Sequence, residues 1–366
     1  MKLKNLLLIF FLVVSQQTWA LDPTLKFFHI SYDQGLSNNC VNCVLKSSRG
    51  FLWVGTSLGL DRYDGFSIRT YFSRPGDPTS LPDNYIEAMV EPADGKLWVW
   101  TSKGFCIYDP LTETFDNDVE GWMKRHGMSG TVIRACTDQE RNLWIVNNQN
   151  QLYYYDFIAN KATRSFNIGE RGTTVSNICL GREMLAVVYV NGLVRTYSTS
   201  DRRLLGTFDF MKKLNNGAND YFKIFIDSQN NLWVYSSAKF ALGANGGKTW
   251  KSIGDYVVRC VAEDRSGDIL LATDHEGLVQ TDHQGNRRQQ WLHVDNDLMS
   301  LPDNTLQYVY VDDLDIVWVG TYRRGLAFCY SGQKRMNLLP LGDVCSMSED
   351  SNGRLWIGTN DKGIEL

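Results

Sequence analysis

A motif built around Leu-Trp-Val-Gly-Thr recurs along nearly the whole 366-residue chain. Its copies are Leu52-Trp53-Val54-Gly55-Thr56, Leu97-Trp98-Val99-Trp100-Thr101, Leu143-Trp144-Ile145-Val146-Asn147, Leu232-Trp233-Val234-Tyr235-Ser236, Val317-Trp318-Val319-Gly320-Thr321 and Leu355-Trp356-Ile357-Gly358-Thr359. Two weaker copies fill the gaps, with Leu185 and Leu270 in the Trp position. Successive positions then lie 37 to 48 residues apart. A fixed period of this size means stacked supersecondary units, not one irregular domain.

Each copy sits in a repeating frame. Upstream is an alternating segment, such as Val41 to Leu45, Ile86 to Val90 or Thr305 to Tyr310. A polar turn follows: Ser48-Arg49-Gly50, Ala93-Asp94-Gly95, Gln229-Asn230-Asn231 or Ser351-Asn352-Gly353. Three or four residues past the Thr stands a Gly (Gly59, Gly104, Gly277, Gly325, Gly363), which suits a turn with positive φ. A third alternating run often ends in Tyr-Asp (Tyr63-Asp64, Tyr108-Asp109, Tyr155-Asp156), and a fourth short segment leads on. Each unit therefore reads as four antiparallel strands. One such sheet has two apolar faces and cannot bury both alone. Stacking the sheets around an axis buries them, and closing the ring removes exposed edges. The expected fold is all-β, a β-propeller of four-stranded blades. A parallel β-solenoid would not need antiparallel turns so closely spaced.

The Trp series itself has two readings. A buried indole withdraws roughly 150–250 Å² from water. At about 25 cal/mol per Å² that is worth about 4–6 kcal/mol gross per blade. Trp53, Trp98, Trp144, Trp233, Trp318 and Trp356 are accordingly expected in the structural core between blades, not as exposed platforms for sugar rings.

The first 20 residues read as a secretory signal: Lys2 and Lys4, then the apolar run Leu6 to Val14, then a polar exit with cleavage between Ala20 and Leu21. The run is too short to span a bilayer, and no later segment is long and apolar enough to do so. The division is thus 1–20 signal peptide, 21–340 propeller of about seven repeats, and 341–366 an incomplete eighth repeat. Seven blades plus the start of another is the preferred count. The alternative is eight blades, with Phe27 to Ile30 supplying the outer strand of the last. Eight cysteines in an exported chain invite disulfides, but Cys43, Cys136, Cys179, Cys260 and Cys345 sit just ahead of core motifs, where Cys acts as a small hydrophobe. Free thiols are expected. A formal charge of −4 with no basic cluster argues against a nucleic-acid surface.

The segments Leu36 to Gly65, Leu81 to Pro110 and Leu301 to Tyr330 resemble the two-component regulator propeller repeat. So does the entry Phe27 to Ser37. That repeat forms the periplasmic sensor region of hybrid two-component histidine kinases, mainly of Bacteroidetes. The resemblance implies detection of oligosaccharides, with two propellers, a β-sandwich, a membrane helix and a kinase in the whole sensor, which is expected to be anchored in the inner membrane and to homodimerise. Against that pattern the chain ends at Leu366 within an eighth repeat, so an N-terminal portion of such a sensor is expected, periplasmic and without kinase activity of its own.

No catalytic residue, metal site or cofactor is expected. Asn245-Gly246-Gly247-Lys248-Thr249-Trp250 resembles a degenerate Asp-box, which is a turn, not an active site. The dipeptides Asp274-His275 and Asp282-His283 flank one predicted strand and read as exposed turns, as do Asp312, Asp313 and Asp315, with a weak calcium site the other reading. The candidate ligand residues are Tyr322, Arg323 and Arg324, an aromatic with two guanidinium groups able to hold an acidic sugar. Two other functions remain open: a secreted glycosidase or lyase, and a protein-interaction scaffold.

Overall fold

This computed structural model describes residues 25–163, 166–254, 256–330, 343–350, 354–360 and 363–365. The signal segment, including Ala20 and Leu21, lies outside the described residues. The chain forms two compact units, Met1–Ser331 and Gly332–Leu366.

In the first unit β1 (Phe28–Ile30) precedes seven antiparallel sheets. The first sheet consists of β2 (Val41–Lys46), β3 (Leu52–Thr56), β4 (Gly59–Tyr63) and β5 (Ile68–Tyr71), paired in chain order. The next five lie within residues 86–116, 132–167, 175–208, 223–252 and 257–291, and repeat that order. In the third, the outer strand is split into Lys161–Ala162 and Phe166–Asn167. The seventh draws three strands from residues 306–330, and β1 adds the fourth, pairing with Leu326–Tyr330. The N-terminal strand therefore does swap in, but onto the seventh sheet and not an eighth. Phe28 stacks on Phe328 at 5.2 Å, and Phe27 donates its N–H to the Met299 carbonyl at 2.8 Å.

The core shows why the ring closes. Each hydrophobic cluster spans two consecutive sheets, and one of them, around Val41, Val54, Trp318 and Leu326, joins the seventh sheet to the first. The Trp strands are buried on both faces, as the middle strand of a stacked sheet must be: all five residues of β3 are buried. Trp53, Trp98, Trp144, Trp233 and Trp318 are 0–6% exposed. Trp53 meets Tyr108 of the second sheet at 5.0 Å.

The rest of the motif has equally concrete work. Thr56, Thr101, Thr273 and Thr321 each donate a hydroxyl hydrogen bond to the carbonyl of Gly59, Gly104, Gly277 and Gly325 at 2.6–2.9 Å. Gly55 lacks a side chain because its neighbour needs the space: a Cβ there would lie 2.6 Å from Ile86 Cγ2 and 2.5 Å from Cys43 Sγ.

Two expectations about the motif change. In the fourth sheet Ala186, not Leu185, holds the Trp position: Ala186 pairs with Cys179 as Trp53 pairs with Leu45. Tyr189 takes the place of the Thr there. In the second unit Val344–Glu349, Leu355–Thr359 and Gly363–Glu365 form a three-stranded sheet. Trp356 within it remains 40% exposed, because a single sheet supplies no facing blade. All eight cysteines carry free thiols; Cys43, Cys106, Cys260 and Cys329 are buried, Cys40, Cys136 and Cys179 partly so, and Cys345 is exposed rather than interior.

Candidate functional site

The innermost strands of the first unit are irregular at one repeated place. Between Val41 and Cys43, Ile86 and Ala88, Val132 and Arg134, Val175 and Asn177, Val258 and Cys260, and Leu306 and Tyr308, the register slips by one residue. A bulge leaves ladder groups unpaired and re-aims side chains. Here side chains on or beside the slipped position bond carbonyls of the next sheet. Asn42 Nδ2 donates to Ile86 O at 2.9 Å, Arg134 Nε to Ser176 O, Ser176 Oγ to Phe222 O at 2.7 Å, and Lys223 Nζ to Arg259 O at 3.2 Å. These bonds lace the inner wall of the ring together.

A polar and aromatic cluster sits on that wall. Tyr85 enters the second sheet from the turn that ends in Asn84, whose carbonyl accepts Gly59 N–H at 2.7 Å and whose side chain accepts Ser73 N–H at 2.6 Å. Tyr85 N–H is held by the Asp83 carboxylate at 2.9 Å. Glu87 is the slipped residue of the same strand. Trp100 stands in the place that Gly55 and Gly320 occupy in the first and seventh sheets. It stacks on Phe105 at 5.8 Å, and the Arg134 guanidinium lies 4.2 Å over its ring. The other neighbour of Arg134 is Tyr221, at 5.5 Å. Lys223 follows two residues on, and Arg259 pairs with Asp274 at 2.6 Å.

The electrostatics are unbalanced. Among the described residues Glu87 makes no hydrogen bond or ion pair, and neither Arg134 nor Lys223 meets a carboxylate. Partial burial raises the Glu87 carboxyl, while the charges of Arg134 and then Lys223 pull it back. Burial lowers Arg134, opposed by Tyr221 and Glu87. Tyr85 is raised by burial and by the charge of Glu87. Tyr85, Tyr221 and Tyr322 each keep 43–44% of their surface free, so a ring compound has faces and hydroxyls to meet. Tyr322, Arg323 and Arg324 are exposed, and the Arg323 guanidinium lies 5.4 Å over the Tyr322 ring. Tyr322 is also within electrostatic range of Tyr85. Tyr322, Arg323 and Arg324 were named as candidates from the sequence; Tyr85, Glu87, Trp100, Arg134, Tyr221 and Lys223 were not. The available signal was the bulk of Trp100 at a position that carries Gly55 and Gly320 in two other sheets and Tyr235 in the fifth.

Glycosidase chemistry needs two carboxylates about 5–9.5 Å apart. The charges acting on Glu87 are those of Arg134 and Lys223, without contact, and the Asp274 carboxylate is held by Arg259. Cys43 is buried, and that burial pushes its thiol up to about 12, away from the reactive thiolate form.

The other motifs act as struts. Asn245 and Gly246 form a left-handed turn between Phe240–Gly243 and Thr249–Ser252. His275 is exposed, beside Asp274 at 2.8 Å. His283 is not an exposed turn residue: partly buried, it places its Nδ1 2.9 Å from the buried Asp227 Oδ2, linking the sixth sheet to the fifth. Asp312 is likewise no solvated carboxylate. It is buried, accepts Leu314 N–H, Ile316 N–H and the Trp318 indole N–H at 2.8–3.2 Å, and faces Lys46 at 3.5 Å. Its polar ring of donors leaves nothing for an ion to coordinate. Asp313 does stay exposed, against the same Lys46 at 2.5 Å. Among the described residues no three His, Cys, Asp or Glu side chains converge as metal ligands.

A family model described as "Two component regulator propeller" matches residues 35–57 and 338–361. The chain carries two-component regulator propeller repeats. Solved structures share the fold. The extracellular domain of BT3049 of B. thetaiotaomicron, designated a hybrid two-component system, matches with TM-score 0.63 and 23% identity over 93% of this chain and 48% of its own. That of BT4673 from the same organism gives 0.63 and 22%, over 91% and 45%. PorZ, a surface component of the type-IX secretion system of Porphyromonas gingivalis, gives 0.60 and 14%, over 89% and 51%. The regulator-propeller chain thus spans about half the length of the structures it matches. No curated protein matches it. Among the described residues no helix is long and apolar enough to cross a membrane.

Proposed function

We propose that this regulator-propeller chain is the ligand-sensing part of an extracytoplasmic two-component sensor, that it binds an oligosaccharide at the inner-wall cluster, and that it passes the resulting change to further domains ending in a histidine kinase. The observation that carries the reading is the cluster itself. Two half-exposed tyrosines, Tyr85 and Tyr221, lie within electrostatic range of Glu87, with Tyr322 in range of Tyr85. Glu87 makes no hydrogen bond among the described residues, and Arg134 and Lys223 bond carbonyls of the wall but meet no carboxylate. A solved fold tolerates such groups where a ligand satisfies them. The repeats support the two-component setting. Periplasmic location, anchoring of the whole sensor in the inner membrane and its homodimerisation belong to the same proposal, as does the absence of catalysis by this chain.

The test is calorimetric titration of the purified chain with a panel of plant and host oligosaccharides, repeated with Tyr85→Ala. Binding that weakens in the variant supports the reading. Turnover of any panel member, or capture of a protein partner with no saccharide binding, defeats it in favour of an enzyme or a scaffold.

A further inference from the structure

The cluster also has a sign and a shape, and these narrow the class of ligand. The Arg134 guanidinium lies over two aromatic rings, Trp100 at 4.2 Å and Tyr221 at 5.5 Å. Its Nε and one terminal nitrogen are committed to the Ser176 and Ile133 carbonyls. What remains is a fixed edge of N–H donors, the geometry with which guanidinium recognises an oxyanion. Lys223 spends one donor on Arg259 O and has two left. Arg259 is already neutralised by Asp274. The balance at the wall is therefore two cations against the single carboxylate of Glu87. Half-buried charges without partners are costly, so the surplus favours an anion.

Glu87 sets the second requirement. An ionised carboxylate only accepts hydrogen bonds. A bare inorganic anion offers it no donor and adds repulsion. A ligand satisfying Arg134, Lys223 and Glu87 together carries an oxyanion and hydroxyl donors on one frame. A zwitterionic amino acid such as glutamate meets the charges too, but it brings no ring face for the tyrosines to pack against.

Building on the proposed saccharide-binding reading, we infer that the inner-wall cluster is selective for an acidic saccharide, with Arg134 and Lys223 on the oxyanion and Glu87 accepting sugar hydroxyls. The uncommon Trp100 is then a positioning residue that holds the Arg134 edge toward the ligand.

The test titrates the full chain with trigalacturonate, neutral galactotriose, sulfated galactotriose, inorganic sulfate and glutamate. Trigalacturonate or the sulfated sugar is expected to bind at least about tenfold more tightly than galactotriose, and the stronger of the two identifies the oxyanion as carboxylate or sulfate ester. Arg134→Gln and, independently, Lys223→Met are expected to remove about tenfold of that preference, measured at a temperature well below the melting transition of each variant. Should Arg134→Gln fail to fold, Arg134→Lys keeps the charge and removes the forked edge, and the same loss is expected. Galactotriose binding as tightly as the acidic sugars overturns the inference but leaves the saccharide reading standing. Binding by none of the sugars overturns both. Sulfate or glutamate matching the acidic sugars, or acidic-sugar binding indifferent to the variants, also overturns the inference.

Discussion

Asp61 offers a sharp test of how the repeat is built. It lies on β4 with no exposed surface, and it ties the first sheet to the loop before it. Its Oδ2 accepts the Ser37 N–H at 2.9 Å and the Ser37 hydroxyl at 2.8 Å. Oδ1 is buried with no hydrogen-bond partner among the described residues. Burial outweighs the two Ser37 bonds and raises the carboxyl from 3.8 to about 6. That displacement corresponds to about 3 kcal/mol. Since the folded-state pKa is the higher one, the native state holds its proton longer than the unfolded chain does. The stability tied to this proton is fully present below about pH 4 and is lost as pH rises through about 6. Asp61→Asn keeps an acceptor for Ser37 and never ionises. Other carboxylates with lowered pKa values, such as Asp64, shift stability the opposite way, so the quantity to measure is the difference between parent and variant. Urea unfolding at half-unit steps from pH 4 to 8 gives it. The variant is expected to gain on the parent by up to about 3 kcal/mol across that range, mostly between pH 4 and 6. A difference constant to within about 0.5 kcal/mol, or one that grows in favour of the parent, refutes the argument.

Gly320→Ala would place a Cβ 2.8 Å from Val41 Cγ1 and 3.0 Å from Val41 O, where the seventh sheet meets the first; an overpacking cost of about 1–3 kcal/mol is expected by calorimetry, and an unchanged melting temperature would count against close approach at that seam. Asp227 accepts from Gln229 and Asn231 N–H, Asn231 Nδ2 and the Trp233 indole, and faces His283; Asp227→Ala is expected to cost more than about 3 kcal/mol in urea unfolding, against less than about 1 for Asp313→Ala at the exposed end of an ion pair. In the native protein a thiol reagent should label Cys345 quickly, while Cys43, Cys106 and Cys329 react only on unfolding, because burial raises all three thiols; mass mapping of the labelled cysteines checks this.

Most of the architecture was legible because one residue type marks the same buried place in five of the seven blades. Trp53 or Trp318 has no other stable position in a stacked sheet, and the Thr-to-Gly turn recurs with it. Where the Trp is missing, as near Leu185, only alternation remains, and a period of two cannot distinguish a strand from its copy shifted by one. Hence Ala186 was misplaced by one residue. Pairing β1 with Leu326–Tyr330 joins segments about 300 residues apart, which local patterns do not encode. Charged residues were misjudged for a related reason. Asp312 and His283 look solvated in a linear reading, yet Asp312 is buried against the Trp318 indole of the strand that follows it, and His283 is partly buried against the Asp227 carboxylate of the preceding sheet. The inner-wall site was hidden most fully. Its members come from several sheets, and the slip at each bulge undoes the rule that alternate residues face alternate sides.

Trp100 connects the repeat to the site. A strict copy of the motif would carry Gly there, as at Gly55 and Gly320, where the next inner strand closes in. The indole instead takes up that gap and gives the Arg134 guanidinium a face at 4.2 Å. Packing alone does not demand this, since glycine serves the same position twice elsewhere in the ring. Departures from a locally consistent pattern concentrate where function is bought at some expense of stability. Trp100→Leu separates the two roles. It keeps apolar bulk against Phe105 but removes the cation–π contact, worth about 0.5–2 kcal/mol. If Trp100 aims Arg134, acidic-saccharide affinity falls about three- to thirtyfold, neutral-saccharide affinity stays level, and Arg134→Gln has little further effect in the Trp100→Leu background. If Trp100 only fills space, unfolding free energy drops while the affinities do not move, and the two substitutions add independently. The second result would make Trp100 a packing residue and leave Arg134 to be positioned by its two carbonyls and Tyr221.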